Sequence, residues 1–317
     1  MDASVEGYRL IDAGGGRRLE QFGARTVDRP APGAVASAVD PTAWAGADLR
    51  YERWSGWHAA GGLLTPWNVG VTGCQLELRP TETGQIGLFP EQLENLSWLA
   101  AQVRAVTANA AKTALAQPVA AVALAADTSM ADDSATALDR PRILNLFAYT
   151  GLASLALAAA GAAVVHVDSS RPAIAWARHN AALSGLDGQP VRWIVDDAEA
   201  FVARELRRGR RYDGIILDPP SYGHGDRGQS WRLEERLAGL LAACAALLTG
   251  PRAFCLLTAH AEGLTSPWLA RQLAQATRRP NARVQSGELA IIADSGARLE
   301  LGAYARFDGG AGVTSRR

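Results

Sequence analysis

The segment GIILDPPSYGHG ends an apolar run with an aspartate, two prolines, a hydroxyl and an aromatic ring. The prolines, Pro219 and Pro220, fix the backbone φ angle and remove two N–H donors. Their carbonyl groups and the carboxylate of Asp218 form a rigid set of acceptors that suits the N–H groups of a nucleobase. Tyr222, which follows Ser221, adds an aromatic face on which a base can stack. The segment predicts a site that positions a planar, nitrogen-rich substrate.

Asp218 is one of several polar residues that follow short apolar runs in the second half of the chain. From Arg142 onward these runs alternate with helical segments, which is the pattern of βαβ units and a parallel sheet. Ligands of such sheets bind at the carboxyl ends of the strands. We expect a ligand crevice there, because polar residues end four successive strands: Asn145, Asp168, Asp196 with Asp197, and Asp218.

The residues at these strand ends fit one cofactor. Gly151, in NLFAYTGLAS, lets the backbone approach a ligand at the N-terminus of the following helix. The segment has one glycine where a dinucleotide site has three, so a carboxylate group fits better than a pyrophosphate. Asp168 stands where an acidic side chain meets ribose hydroxyls, and Asp197 can accept from an exocyclic amine. Ribose, adenine and an amino-acid carboxylate together describe S-adenosylmethionine (SAM).

Three regions of the chain differ in composition. Residues 1–112 contain short alternating runs such as GCQLELRP, typical of half-buried strands, and we assign them to a β-rich domain that covers cofactor and substrate. Residues 113–141 are Ala-rich and then Ser/Asp-rich, and we interpret them as a linker or insertion. Residues 142–317 form a predicted Rossmann-like α/β methyltransferase domain. Its mostly parallel sheet has an antiparallel edge, because GELAIIA and RLELGAYARF follow one another around a DSGA turn.

The composition limits the class of protein. A chain of 317 residues, 48% hydrophobic and 20% charged, is long enough for a large α/β domain and a smaller one. Its net charge of zero gives no overall attraction to RNA or an anionic membrane, although a local patch suffices for RNA. The three cysteines form no CxxC pair, the histidines show no metal-ligand spacing, and the N-terminus lacks a signal sequence. We expect a cytoplasmic enzyme without a metal; the oligomeric state stays open.

Five segments together resemble the bacterial class I SAM-dependent rRNA methyltransferases, the family grouped with large-subunit rRNA cytosine and guanine methyltransferases. The segments are TGQIGLFPEQLEN, LNLFAYTG, VDSSRPAIAWARHNAALSGL, VRWIVDDAEAFV and RRYDGIILDPPSYGHG. The resemblance covers most of residues 1–110 and 140–310. Some relatives begin with a small RNA-binding domain, whereas this chain starts directly at YRLIDAGGGRRLEQFG, with no room for one.

The resemblance implies a role for each strand-end segment. The residues that follow the first strand would line the methionine end of SAM, beside Asn145: Phe147, Tyr149, Thr150 and Gly151. The next two strand ends would bind the ribose and the adenine, respectively: Asp168 with Ser169, and Asp197 with Ala198. The segment Asp218–Tyr222 would face the methyl group and the substrate, and Phe89 and Gln92 would close over the cofactor. Structural roles compete, since Asp168 can instead cap the next helix and one of Asp196 and Asp197 is expected to be structural.

These residues predict a SAM-dependent methyltransferase that methylates a base nitrogen of ribosomal RNA by in-line transfer. Cytosine-5 enzymes of the wider group need a thiolate after the fifth strand. Here that place reads LLTAHAEG, and Cys255 lies inside the strand, which favours nitrogen. The alternatives are a methyltransferase for a small molecule or protein side chain, and a non-catalytic RNA-binding or assembly factor. The single glycine of AYTGLAS disfavours a nicotinamide-dependent reductase.

Three further groups of residues have competing interpretations. His224 and His260 lie near the predicted crevice, where a solvated or loop-stabilising role outweighs general-base catalysis. The basic run RELRRGRRYD, residues 204–213, precedes the fourth strand and is interpreted as a solvated helix end rather than an RNA contact. Four tryptophans of the first region can stack on bases or pack in the core of a β domain: Trp44, Trp54, Trp57 and Trp67.

Overall fold

The protein is described by a computed structural model. It describes residues 5–116, 140–224, 230–250, 252–260, 263–278 and 283–308. The linker or insertion predicted between the two domains lies largely outside these ranges. Within the described part of the chain, no helix is long and apolar enough to cross a membrane.

Eight strands form the N-terminal region. Their bounds are β1 Val5–Glu6, β2 Tyr8–Gly14, β3 Arg17–Phe22, β4 Arg25–Pro30, β5 Leu49–Glu52, β6 Gly56–Ala59, β7 Trp67–Val71 and β8 Cys74–Leu78. Strands β2 to β6 form a five-stranded sheet in sequence order, and the other three form a sheet in the order β1-β7-β8. The alternation predicted for GCQLELRP is confirmed, because Cys74, Leu76 and Leu78 are buried.

The C-terminal region is a seven-stranded sheet between two layers of helices. The strands are β9 Arg142–Leu146, β10 Ala163–Asp168, β11 Val191–Val195, β12 Gly214–Leu217, β15 Phe254–Ala259, β16 Gln285–Ile292 and β17 Arg298–Phe307, with a separate ribbon of β13 Tyr222–His224 and β14 Ser230–Arg232. The helices are α1 Leu93–Ala116, α2 Leu152–Ala159, α3 Arg171–Leu183, α4 Ala198–Arg207, α5 Leu233–Leu247 and α6 Ser266–Thr277. The α1 helix continues past the domain boundary predicted at residue 112.

The strand order confirms the predicted α/β sheet. It reads β11-β10-β9-β12-β15-β17-β16, and β17 runs antiparallel to both of its neighbours. The chain leaves β9 toward β10 and β11 on one side and then crosses over to β12 and β15 on the other. Ligands of open parallel sheets bind where the order reverses in this way, outside the carboxyl ends of the strands. The fold therefore predicts a binding crevice beside the ends of β9 and β12.

Apolar faces of the helices fix them on the sheet. Helices α4, α5 and α6 pack on one face, and α1 and α2 pack on the other. Pro90 opens a short 3-10 turn, Pro90–Gln92, ahead of α1. Leu96, Leu99 and Val103 of α1 are buried against the sheet. The start of α1 is thereby held above the carboxyl edge.

The tryptophans of the N-terminal region fall into two groups. Trp44, Trp57 and Trp67 each donate the indole N–H to an acceptor within that region. The packing interpretation therefore suits these three. Trp54 is 93% exposed, with the Arg53 guanidinium 5.5 Å from its ring centroid. Its side chain is accessible for stacking.

Asn180 joins the N-terminal strands to the segment after β9. Its Oδ1 accepts the N–H of Glu77 at 3.0 Å, and its Nδ2 donates to the carbonyl of Thr150 at 3.0 Å. The Thr150 hydroxyl donates to the carbonyl of Gly87 at 2.7 Å, and Trp176 of α3 donates to the carbonyl of Glu77. Because Asn180 is fully buried, its loss would leave two backbone groups without partners.

We expect Asn180→Ala to lower the free energy of unfolding by about 2–4 kcal/mol, since a buried unpaired polar group costs about 1–3 kcal/mol. Ser184→Ala is the matched control, because its hydroxyl bonds the backbone of Gln75 from the same helix at an accessible position. Its loss should cost about 0.5–1 kcal/mol. Urea unfolding of both variants makes the measurement, and equal losses would contradict the bridging role of Asn180.

Candidate functional site

A cavity of about 90 Å³ opens at the carboxyl edge of β9 and β12, beneath the first turn of α1. The structure brings eight of the predicted site residues to its wall: Phe89, Gln92, Asn145, Phe147, Tyr149, Thr150, Gly151 and Asp218. Asn145 lies one residue before the end of β9 rather than at the end, and it is 2% exposed. Thr258 also lines the wall, although no prediction included it.

The segment between β9 and α2 has an uncommon backbone conformation. Phe147 and Tyr149 have φ angles of 57° and 49°, in the left-handed region that residues with side chains rarely adopt. Gly151 has a φ of 93°, and a Cβ there would lie 2.9 Å from the Cβ of Ala177. Strained backbone of this kind concentrates at functional sites. The segment thus bends tightly around the end of β9 and places Phe147 and Tyr149 on the cavity wall.

Asp168 ends β10 and holds this bend. Its Oδ2 accepts the N–H of Tyr149 at 2.8 Å, and its Oδ1 accepts the N–H of Ser170 at 2.8 Å. Burial raises the pKa of Asp168 above its ordinary value, and the two N–H bonds oppose that shift. The N-cap of α3 is Ser170, so the capping alternative for Asp168 is wrong. The carboxylate instead joins two loops, and Ser169 lies exposed beside it.

The acids after β11 have structural partners. Asp197 is the N-cap of α4, and its Oδ1 accepts the N–H of Ala200 at 2.9 Å. Asp196 forms an ion pair with Arg204, one member of the basic cluster. Both acids therefore have a structural role, whereas the sequence predicted such a role for one of them. Asp197 and the buried Ala198 lie further along the same sheet edge, outside the cavity wall.

Three side chains surround the carboxylate of Asp218. The Thr258 hydroxyl donates to Oδ1 at 2.6 Å, and the Nε2 of His260 lies 3.2 Å from the same oxygen. Gln92 approaches Oδ2 at 3.4 Å. Burial raises the pKa of Asp218, but the charge and the hydrogen bond of His260 outweigh that effect, so the pKa lies below its ordinary value. Asp218 is therefore a carboxylate at neutral pH.

His260 makes more contacts in the crevice than the sequence indicated. Burial lowers its pKa, but the carboxylates of Asp218 and Glu91 outweigh this effect and raise the pKa to about 9. Its Nδ1 donates to the carbonyl of Leu301 at 2.9 Å. The ring is thus an imidazolium that stabilises the loop, as the sequence favoured, and not a free base. The rule used for the other strand ends would have found His260 and Thr258 at the end of β15.

A row of rings borders the crevice. The ring centroid of Phe89 lies 5.6 Å from that of Tyr149 and 5.8 Å from that of His260. The Trp176 ring contacts the other side of Tyr149 and continues the row. In the substrate segment Pro219 is buried and Pro220 is exposed. The side chains of Tyr222 and His224 fall outside the described part of the chain, so base stacking on Tyr222 stays a prediction.

Both a family model and curated proteins match the sequence. Residues 127–255 match the family model of S-adenosylmethionine-dependent methyltransferases. A ribosomal RNA large subunit methyltransferase K/L of Shewanella baltica is 38% identical over 110 residues, which is 34% of this chain and 15% of that relative. The chain thus corresponds to a small part of this relative.

Solved structures match over nearly the whole chain. A SAM-dependent methyltransferase from Agrobacterium tumefaciens superposes with a TM-score of 0.80 at 32% identity, over 97% of this chain and 92% of its own. A putative methyltransferase complexed with S-adenosylhomocysteine (SAH) shares the fold, with a TM-score of 0.67 at 16% identity over 96% of this chain and 75% of its own. The match to the Agrobacterium protein, together with the family model, shows that this chain belongs to the S-adenosylmethionine-dependent methyltransferases.

Proposed function

We propose that this methyltransferase transfers the methyl group of SAM to a base nitrogen of ribosomal RNA. The observation that carries the proposal is the carboxylate of Asp218, held ionised and immobile where β12 ends in the crevice. The relatives named as ribosomal RNA large subunit methyltransferases support RNA as the methyl acceptor.

The residues of the crevice fit SAM. The cavity wall contains a carboxylate, amides, a hydroxyl and aromatic rings, and none of its residues is a lysine or an arginine. Such a wall suits the ammonium and sulfonium charges of the cofactor. When bound, SAM supplies an electrophilic methyl group.

We assign the parts of SAM along the sheet edge in strand order. The segment from Phe147 to Gly151 would hold the methionine end, with Phe89 and Gln92 above it. Asp168 and Ser169 would bind the ribose, because each oxygen of Asp168 keeps a lone pair beyond its bond to a backbone N–H. Asp197 and Ala198 would border the adenine.

Asp218 is suited to hold the acceptor base. Its Oδ1 is used by Thr258 and His260, whereas the contact of Gln92 with Oδ2 is long, at 3.4 Å. Oδ2 can therefore accept an N–H of the base, which directs the nitrogen toward the methyl group and leaves an acceptor for the proton. The rigid Pro219–Pro220 backbone would fix the base further, and Tyr222 would stack on it. Positioning of this kind is the main requirement of an in-line transfer.

The cysteines weigh against methylation of a carbon through a thiolate. Cys255 is 2% exposed inside β15, and burial raises its pKa to about 12. Burial likewise raises the pKa of Cys244 and Cys74. A buried thiol with so high a pKa is not a nucleophile at neutral pH. These properties favour nitrogen as the methylated atom.

The proposed contact of Asp168 with the ribose can be tested by ligand binding. Asp168→Ala should raise the calorimetric Kd for SAH at least tenfold, because the variant loses the ribose acceptor and leaves the N–H of Tyr149 unpaired. Asp187→Ala removes an exposed carboxylate from the turn after α3 and should bind SAH as the wild type does. Near-normal affinity in Asp168→Ala would refute the ribose assignment.

The proposed role of Asp218 in methyl transfer to rRNA can be tested in cells. Mass-spectrometric mapping of rRNA nucleosides should show one methyl mark that is lost without the gene and restored by the wild-type gene, but not by Asp218→Ala. The Asp218→Ala protein should still bind SAH, although less tightly than the wild type, because Asp218 is one of several polar residues on the cavity wall. Cys255→Ser is the control and should restore the mark. An rRNA map that does not change on deletion would point to a small molecule or a protein side chain as the methyl acceptor.

The Asp218–His260 pair should make the stability of the protein depend on pH. The pKa of His260 is about 9 in the folded protein, against an ordinary value of 6.5. Protonated His260 therefore stabilises the fold fully below pH 6.5. This contribution is lost as the pH rises through the folded-state pKa. Between pH 6 and 9 the free energy of unfolding should fall by about 2 kcal/mol more in the wild type than in His260→Gln. Urea unfolding across that range measures it, and parallel pH profiles would rule the pair out.

A further inference from the structure

Three buried side chains form a hydrogen-bonded chain beneath the crevice. The Nδ2 of Asn145 lies 2.9 Å from the Oγ of Ser154, which lies 2.9 Å from the Nδ1 of His166. Asn145 is 2% exposed, and Ser154 and His166 are fully buried. Asn145 borders the cavity, whereas the other two residues lie behind it. The chain therefore connects the cavity wall to β10 through α2.

The bonds define where the protons lie. Because Nδ2 of Asn145 donates to Ser154, the serine hydroxyl proton remains for Nδ1 of His166, which accepts it in the Nε2–H tautomer. His166 then carries its proton on Nε2. Burial lowers its pKa to about 3 and outweighs the opposing effect of the Tyr149 backbone, so the ring is neutral across the physiological range. Among the described residues, Nε2 has no hydrogen-bond partner, and the Trp193 ring packs beside the imidazole, with the two ring centroids 4.8 Å apart.

We propose that Ser154 and His166 are positioning residues that lock the side-chain amide of Asn145 with its Oδ1 toward the cavity, as a fixed acceptor for the ammonium group of SAM. The inference rests on the proposed placement of the methionine end against residues 147–151. Since Nδ2 is directed toward Ser154, Oδ1 on the other side of the planar amide is the acceptor that remains for the ligand. A flipped amide would require the Ser154 hydroxyl to donate to Oδ1 and His166 to carry its proton on Nδ1, so that both hydrogen bonds would have to reverse.

The arrangement gives the site selectivity for charge. A fixed carbonyl oxygen attracts an ammonium group, whereas a freely rotating amide would present N–H donors to it part of the time. The ionised Asp218 lies on the same wall. With Oδ1 of Asn145 toward the cavity, both residues present oxygen atoms that attract a cation, whereas a flipped amide would present an N–H group beside the carboxylate. The α-amino group of the cofactor is the group that this chain would select.

Two ligands test the inference: SAH and its deaminated analogue, which lacks the α-amino group. In calorimetry the wild type should bind SAH at least tenfold more tightly than the analogue. Ser154→Ala and His166→Phe should reduce this ratio to about threefold or less, chiefly by weakening SAH. His166→Asn should restore the ratio in part, because its Oδ1 can accept at the position of Nδ1. Ser266→Ala, which removes another buried hydroxyl bonded to Glu288, should leave the ratio unchanged.

The outcomes separate this inference from the proposed function. Thermal unfolding first identifies the variants that fold. If Ser154→Ala does not fold, the comparison of His166→Phe with His166→Asn makes the test. Folded variants that keep the wild-type ratio would refute the positioning chain while SAM binding stands. A wild type that binds neither ligand would instead refute the proposed cofactor site.

Discussion

The backbone of residues 147–151 must bend around the end of β9 in a conformation that Phe147 and Tyr149 rarely adopt, and the crevice depends on that bend. The cost is met by contacts from separate parts of the fold. Asp168 of β10 holds the N–H of Tyr149, and Asn180 of α3 holds the carbonyl of Thr150. A residue in a left-handed conformation persists where its surroundings determine it more than once, which is the case here.

Two histidines near this bend, the buried His166 and the half-buried His260, carry opposite protonation states. Burial lowers the pKa of His166 to about 3, and its hydrogen-bond partner, the Ser154 hydroxyl, carries no charge that would oppose the shift. The pKa of His260 rises to about 9, because two carboxylates face it. Burial opposes the charged form in both rings, so the difference comes from the neighbours. The same residue type therefore serves as a neutral hydrogen-bond relay in one place and as a fixed cation in another.

Much of the fold could be predicted from the sequence, because local patterns of apolar and polar residues determine its strands, helices and turns. Apolar runs alternating with helical spacing identified the α/β sheet, and the turn between GELAIIA and RLELGAYARF identified the antiparallel edge. The strand-end rule likewise found Asp218 and Asp168, since the carboxyl ends of parallel strands meet at one edge. What the sequence did not reveal depends on contacts between distant segments. The pairing of Asp218 with His260, the bond of Asp168 to Tyr149 and the burial of Asn145 follow from the packing of the sheet.

The position of α3 also limits which residues can occupy the crevice. A Cβ at Gly87 would lie 2.4 Å from the Trp176 ring, and a Cβ at Gly151 would lie 2.9 Å from Ala177. Two successive residues of one helix thus require a glycine in two different parts of the chain, one on each side of the cavity. These four positions should vary together during evolution, because a larger residue at Gly87, Gly151 or Ala177 would force α3 away from the crevice.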